Sequence, residues 1–303
     1  MKLVIEAIGE DVNYMTQRSI WSLRPIVECW QRTGKALTSI RWVDTNKGGP
    51  GEVIVRCRLV ARDFAGGEKG RDDLLAETPP LEAKRLLLSR AVTKRKGKKK
   101  MRKLMFIDAR KAHLNPKCEA DVYIDLPEEC NCPEGYCGKL NYWLYGFRPA
   151  AAAWEKHYSQ LLEGVGFIRG ESCGVVFYHE ERDVSLAVHG DDFTFCADEV
   201  DLWWIRDLMA SRFEIKVRAI LGEDSHDDKE VVILGRRVRW TEEGIEYEAD
   251  PRHREEIISY FGFEEGSRAL AVNGDKDIKE EEGDEEDLVK SEAKVFQGLA
   301  VTH

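Results

Sequence analysis

Three aspartates stand where carboxylates are costly. Asp108 closes the apolar run KLMFIDA (103–109), and Asp191 and Asp192 interrupt the hydrophobic stretch LAVHGDDFTFCA (186–197). Adjacent carboxylates within a β-run repel each other and face apolar neighbours. A divalent cation removes that cost. Mg²⁺ takes one or two carboxylates together with phosphate oxygens rather than a full protein cage. Two such ions, shared by acids from neighbouring strands, stabilise the attacking and leaving oxygens of an in-line phosphoryl displacement. An Asp-Asp pair also suits a turn; the flanking β-branched and aromatic residues weigh against that.

The surrounding elements must bring these acids together. Residues 11–35 read as one or two helices with buried Trp and Ile. SIRWVDTN (39–46) and VIVRCRLVARDF (53–64) flank a Gly-Gly-Pro-Gly turn at 48–51, which predicts a hairpin. LEAKRLLLSRAVTK has apolar residues at helical spacing. A short buried strand over 103–109 then delivers Asp108. Residues 150–167 read as a helix closed by Gly164 and Gly166. The segment 174–197 reads as a hairpin turning near Glu180–Asp183, its second strand running into Asp191 and Asp192. VDLWWIRDLMASRF (200–213) is a helix, and 230–250 is a further hairpin turning at Glu242–Gly244. Strands and helices in this order predict an α+β fold with an antiparallel sheet.

Charge is segregated along the 303 residues. The net charge is −10. Yet Lys84 to Lys111 holds thirteen basic residues against the one acid Asp108, a local +12. Asp275 to Glu292 holds ten acids against three lysines, which reads as an acidic linker. A concentrated basic stretch attracts polyanions whatever the global sign, because salt screens beyond about 8–10 Å. TKRKGKKKMRK (93–103) is either a solvated loop or a phosphate-contacting one. Apolar residues make up 43% of the chain, enough for a sizeable core, while no window of about 18 uncharged apolar residues could span a membrane.

Eight cysteines are too dilute for a disulfide scaffold, so a reduced intracellular protein, cytoplasmic or nuclear, is expected. Cys130, Cys132 and Cys137, with Cys118 as a fourth, are spaced poorly for zinc and read rather as free thiols in a loop. Glycine-rich DFAGGEKGRDD (63–73) lacks the phosphate-loop pattern G-x₄-G-K-[ST].

The order of motifs resembles the reverse transcriptase domain of copia-type LTR retrotransposon Pol polyproteins, over about residues 11–300. RWVDTNK (41–47) and RCRLVARDF (56–64) resemble that family's opening finger strands. AETPPLEAKRLLLSRAV (76–92) resembles its E-T-x-P segment. FIDARKAHLNPKCEADVYIDLPEE (106–129) is similar to D-x-x-x-A-F-L-N-G…E-x-V-Y-M-x-x-P, and LYGFRPAAAAW (144–154) to L-Y-G-L-K-Q-A-P-R-x-W. GFIRGESCGVVFY (166–178) with VHGDDF (188–193) resembles the strand pair carrying Y-V-D-D. VILGRRVRW (232–240) and GIEYEADPRHREEIISYFGF (244–263) resemble the F-L-G-I…G-I-x-L-x-Q stretch.

The resemblance implies a right-hand polymerase with an antiparallel palm sheet. Residues 1–35 form a helical lead-in, 36–102 and 117–149 the fingers, 103–116 and 150–241 the palm, and 242–272 part of a thumb. An acidic linker and a truncated connection occupy 273–303. Asp108, Asp191 and Asp192 become the catalytic acids and ligands of Mg²⁺ or Mn²⁺, two per active site. Arg56, Arg58 and Arg62 share a strand face by period-two alternation. With Arg148 and His113 they are the implied contacts of the incoming nucleotide. Lys94, Arg95, Lys96, Lys98, Lys99 and Lys100 lie near template phosphates. The implied partners are an RNA or DNA template-primer, deoxynucleoside triphosphate and other segments of a Pol polyprotein.

Five positions depart from the family pattern. His189 and Gly190 replace Tyr-Val, Pro149 replaces a Gln that contacts the nucleotide, Ala152 replaces Arg, and His113 takes an aromatic position that screens the ribose 2′-hydroxyl. Gly190 is expected to loosen the backbone that holds both acids, and Pro149 offers no donor. These departures imply impaired activity. The alternative is a catalytically dead retroelement relic that at most binds nucleic acid.

Overall fold

A computed structural model of the chain describes residues 2–46, 48, 53–63, 76–249 and 251–262. The acidic run, the connection region, residues 263–272, residues 49–51 of the first turn and most of the glycine-rich stretch lie outside these. The chain divides into two units, Met1–Ile220 and Leu221–His303.

The first unit opens with α1 (Lys2–Gln17), β1 (Trp21–Pro25) and α2 (Ile26–Thr33). The strand between the helices was not legible in the periodicity. Pro25 ends it in extended geometry, and β1 pairs along a later strand, β6 (Tyr136–Leu140). Trp30, expected inside, is exposed on α2, where Cys29 takes the inner face. β2 (Ile40–Asn46) and β3 (Val55–Ala61) form the expected antiparallel hairpin. α3 spans Leu81–Val92 and β4 spans Lys103–Ala109. β5 (Tyr123–Ile124) pairs with β6. α4 runs Arg148–Glu163. Then follow β7 (Ile168–Arg169), β8 (Val176–His179), β9 (Val184–His189), β10 (Asp192–Ala197), α5 (Glu199–Arg212) and β11 (Ile215–Leu221).

Six strands make the principal sheet, in the order β11-β4-β10-β9-β8-β7. β4, β10, β9, β8 and β7 pair antiparallel in turn. The segment expected as one hairpin is thus a three-stranded meander with a second turn at Gly190–Asp191. Period-two alternation divides the sheet faces. Met105, Ile107, Val184, Leu186, Val188, Phe193 and Phe195 bury one face against Trp154, Tyr158 and Leu162 of α4 and Leu202, Ile205 and Met209 of α5. Leu104, Phe106, Thr194 and Cys196 alternate with them onto the other face, and α3 packs across β4, β9 and β10. A strand covered on both sides reads as a continuous apolar run, which is why KLMFI has no polar alternation.

A second core joins Met15 and Ile20 to Leu59 and Ala61 of β3 and to Leu140, Trp143, Leu144, Phe147 and Ala150. Its tightest joint is at Gly146, whose φ of +84° places a built Cβ 2.3 Å from the Ala61 carbonyl oxygen. Beside it the Ala61 amide donates to the Tyr145 carbonyl at 2.7 Å.

The second unit holds β12 (Glu230–Ile233), β13 (Arg236–Trp240) and β14 (Ile245–Ala249), an antiparallel meander followed by α6 (Pro251–Tyr260). A tight turn at Leu234–Gly235, both at positive φ, makes three strands of the two expected there. No helix among the described residues is long and apolar enough to cross a membrane.

Gly146→Ala meets both a backbone clash and a disfavoured φ, so it should cost about 2–4 kcal/mol of stability. Thermal or urea unfolding of the variant checks this; an unchanged midpoint would refute the close approach.

Candidate active site

β4 and β10 carry the acids to one end of the principal sheet. Their register sets Asp192 directly opposite Asp108, with Phe193 opposite Ile107 and Phe195 opposite Met105. Asp108 and Asp192 therefore share the sheet face opposite the α4–α5 core. Asp191 sits in the two-residue turn between β9 and β10, since His189 pairs with Asp192. Its carbonyl accepts the Ala109 amide at 2.8 Å, which fastens the turn to the end of β4. Both readings of the Asp-Asp pair thus hold in part: Asp191 is in a turn and Asp192 is in a strand.

Gly190 does not loosen this turn. Its φ is +63° while Asp191 stays at negative φ, the pattern of a type II′ hairpin, which wants glycine first. The Gly190 carbonyl also accepts the indole Nε1–H of buried Trp154 at 2.9 Å. α4 thereby clamps the turn from below. Pro149 is equally at ease, because it stands in the first turn of α4, where its missing N–H has no intrahelical partner to lose.

The electrostatics follow from crowding. Like charges directly opposite on paired strands repel. Burial first, then the neighbouring Asp191 and Asp108, push the Asp192 carboxyl up to about 6 against the pull of Arg218 and Lys84. Arg218, on β11 beside β4, donates from Nη2 to Asp108 Oδ1 at 2.8 Å and lies 3.3 Å from Asp192 Oδ1. Burial pulls its own pKa down, yet the hydrogen bond to Asp108 and the fields of the three acids leave it raised. The sequence offered no signal for Arg218, which is one more cation in an amphipathic strand. Asp108 and Asp192, paired across the strands with one guanidinium between them, and Asp191 in the adjoining turn, offer the oxygen donors that suit a hard divalent cation.

Beside the acids, His113 and Tyr145 pack edge to face with centroids 5.1 Å apart, and the Arg58 guanidinium lies 5.3 Å over the Tyr145 ring. Burial, followed by the charge of Arg58, holds the His113 imidazole below its ordinary pKa against the field of Asp191. Burial pushes the Tyr145 hydroxyl up to about 12. His113 follows Ala112 at the start of a 3₁₀ turn after β4. Arg56 shares the β3 face of Arg58, and Arg62 lies one residue past the strand, its amide bonded to the Ser39 carbonyl at 2.9 Å. The Arg148 amide starts α4 on the Asp63 carboxylate at 3.1 Å. Tyr145 was missed in the sequence because only the fold stacks it between His113 and Arg58.

The basic loop is less free than its composition implies. Arg95 is turned inward, bonded to both Asp198 oxygens and 3.7 Å from Asp183. That bond holds the Asp198 carboxyl below the usual carboxylate range. Lys98 reaches Asp198 at 3.1 Å, and Arg90 and buried Arg102 both bond Asp183. Buried Lys103 meets Glu199 at 3.1 Å. Lys94, Lys96, Lys99 and Lys100 remain exposed. Of the cysteines expected as free thiols, Cys118 and Cys137 belong to different apolar clusters and donate to the Ala120 and Arg24 carbonyls.

A family model described as reverse transcriptase (RNA-dependent DNA polymerase) matches residues 26–228, about two thirds of the chain. The chain belongs to this family of copia-type reverse transcriptases. Two solved structures are similar to it. One is a foamy viral protease-reverse transcriptase in complex with double-stranded DNA, 13% identical, with a TM-score of 0.46 over 83% of this chain and 36% of that one. The other is a foamy viral protease-reverse transcriptase in complex with an RNA/DNA hybrid, 12% identical, with a TM-score of 0.42 over 83% of this chain and 27% of that one. The chain thus spans about a third of the length of these proteins.

Asp192 generates a pH test. A carboxyl at about 6 in the folded chain and 3.8 ordinarily binds its proton more tightly when folded. Its contribution to stability is therefore present below pH 4 and lost as the pH rises through 6. In EDTA, Asp192→Asn should raise the melting temperature at pH 7.5 and leave it nearly unchanged at pH 4. Equal shifts at both pH values would refute the crowding.

Proposed function

We propose that this chain is the polymerase domain of a retroelement reverse transcriptase, extending a primer 3′-hydroxyl with deoxynucleotides on an RNA template. The observation that carries the reading is the pairing of Asp192 with Asp108 across β10 and β4, with Asp191 in the adjoining turn. In this reading the principal sheet with α4 and α5 belongs to the palm, the β2–β3 hairpin belongs to the fingers, and residues 242–272 begin the thumb.

Asp108, Asp191 and Asp192 would hold Mg²⁺ or Mn²⁺, Asp108 and Asp191 as main ligands and Asp192 as the secondary one. A pair of divalent cations bound there supplies charge stabilisation at the attacking and leaving oxygens. The chain's own residues do the positioning. Arg56, Arg58, Arg62 and Arg148 bind the triphosphate, for which guanidinium forks are suited. The His113–Tyr145 pair forms the wall against which the sugar rests. Exposed Lys94, Lys96, Lys99 and Lys100 track template phosphates, while Arg95 and Lys98 brace the loop. Pro149 and Ala152 fit the fold but remove side-chain donors from the nucleotide site, so turnover is slow.

Primer extension on an RNA template with Mg²⁺ or Mn²⁺ tests the reading. Extension is expected to be weak and to vanish in Asp191→Asn. No extension with primer–template binding intact would favour the relic, a palm that keeps its fold and has lost its chemistry. Independently, Lys94→Gln, Lys96→Gln and Lys99→Gln together should weaken nucleic-acid binding and lower the salt slope by up to about three. An unchanged slope would remove the loop from the interface.

A further inference from the structure

Arg218 is neither one of the acids nor one of the nucleotide contacts, yet it is the side chain that joins the two strands' carboxylates. We propose that Arg218 is the resident counter-cation of the metal site: its guanidinium bridges Asp108 and Asp192 in the metal-free chain and must swing clear before a divalent cation can take those oxygens. The inference rests on the reading of Asp108, Asp191 and Asp192 as metal ligands.

Geometry carries it first. A single nitrogen, Nη2, is 2.8 Å from Asp108 Oδ1 and 3.3 Å from Asp192 Oδ1, so one positive group serves carboxylates that the β4–β10 register sets face to face. An oxygen engaged by that nitrogen cannot offer the same lone pair to a metal. Placement carries it second. β11 is an edge strand beside β4, and Ile215 and Val217 point into the α4–α5 core. Alternation sends Lys216 and Arg218 the other way, onto the face of the acids.

Exposure separates a displaceable cation from a structural one. The Arg102 side chain is 8% exposed and locked to Asp183, whereas Arg218 is 35% exposed. Its head can return to water while its stem stays on the sheet. Leaving costs it little once another cation neutralises the acids; without one, departure leaves crowded carboxylates in a partly buried site. Metal binding is then an exchange of cations. The apparent affinity is reduced by the fraction of chains in which Arg218 still occupies the oxygens.

Mn²⁺ titration of the EDTA-stripped full chain, reading free Mn²⁺ by electron paramagnetic resonance, tests this without catalysis. Arg218→Gln should tighten the Mn²⁺ site about three- to thirtyfold. Arg218→Lys keeps the charge but loses the planar fork, so it should shift less in the same direction and covers the case in which the first variant folds poorly. Lys216→Gln, on the same face and with no carboxylate contact among the described residues, removes an equal charge and should change affinity less than about twofold. Asp108→Asn identifies the site by abolishing it. The metal-free melting temperature should fall in Arg218→Gln and recover more on Mn²⁺ addition than in the parent chain. Unchanged or weaker Asp108-dependent binding in both Arg218 variants would overturn the counter-cation and leave the metal site standing. An equal gain in Lys216→Gln would replace the contact by a long-range field and overturn it too. No Asp108-dependent binding in any variant would overturn the metal site itself, and this inference with it.

Discussion

Repulsion among three carboxylates at one end of a buried sheet is the constraint around which the rest of the first unit is arranged. Asp108 and Asp192 face each other across paired strands, and Asp191 stands at the adjoining turn. No fold gains from such crowding by itself. It persists because the strands that carry the acids are held by a continuous apolar face of Met105, Ile107, Phe193, Phe195 and Val188 against α4 and α5. The hydrophobic energy of that face, spread over many side chains, offsets an electrostatic cost concentrated on two or three.

Positional precision comes from a few directed contacts laid over that packing. Trp154 illustrates the division of labour. Its ring lies among Tyr158, Phe193 and Phe213, and its one polar atom reaches the Gly190 carbonyl. A buried indole needs a partner for its N–H, and here the partner is the turn that carries Asp191. A glycine that looks like a weakness in the sequence is the residue that the turn's positive φ demands. Pro149, in the first turn of α4, likewise costs the scaffold no intrahelical hydrogen bond.

Charge in the basic segment is similarly divided. Arg90, Arg95 and Arg102 are spent on Asp183 and Asp198, and Lys103 on Glu199. These pairs tie the loop before β4 to the β8–β9 turn and to the start of α5. Lys94, Lys96, Lys99 and Lys100 stay exposed beside them. A local charge of +12 therefore overstates the field of the segment, because several of its members are neutralised within the fold.

Much was legible without the fold. Element types over 40–46, 55–61, 81–92, 103–109, 148–163 and 199–212 follow from local periodicity, which the chain carries within a dozen residues. The acids announced themselves because carboxylates in apolar runs are rare. Two turns were missed, at Gly190–Asp191 and Leu234–Gly235, since a two-residue turn leaves almost no interruption in a hydrophobic run. β1 was missed because its partner β6 lies more than a hundred residues away in sequence. The Arg218–Asp108 contact spans 110 positions. The sequence by itself therefore determined most of the helices and strands of the first unit and which residues could do chemistry. The tertiary structure decided the register that sets Asp192 against Asp108, the indole that holds their turn and the guanidinium that lies between them. Those are pairings between distant segments, and no local spacing encodes which distant side chain a folded strand will bring within 3 Å.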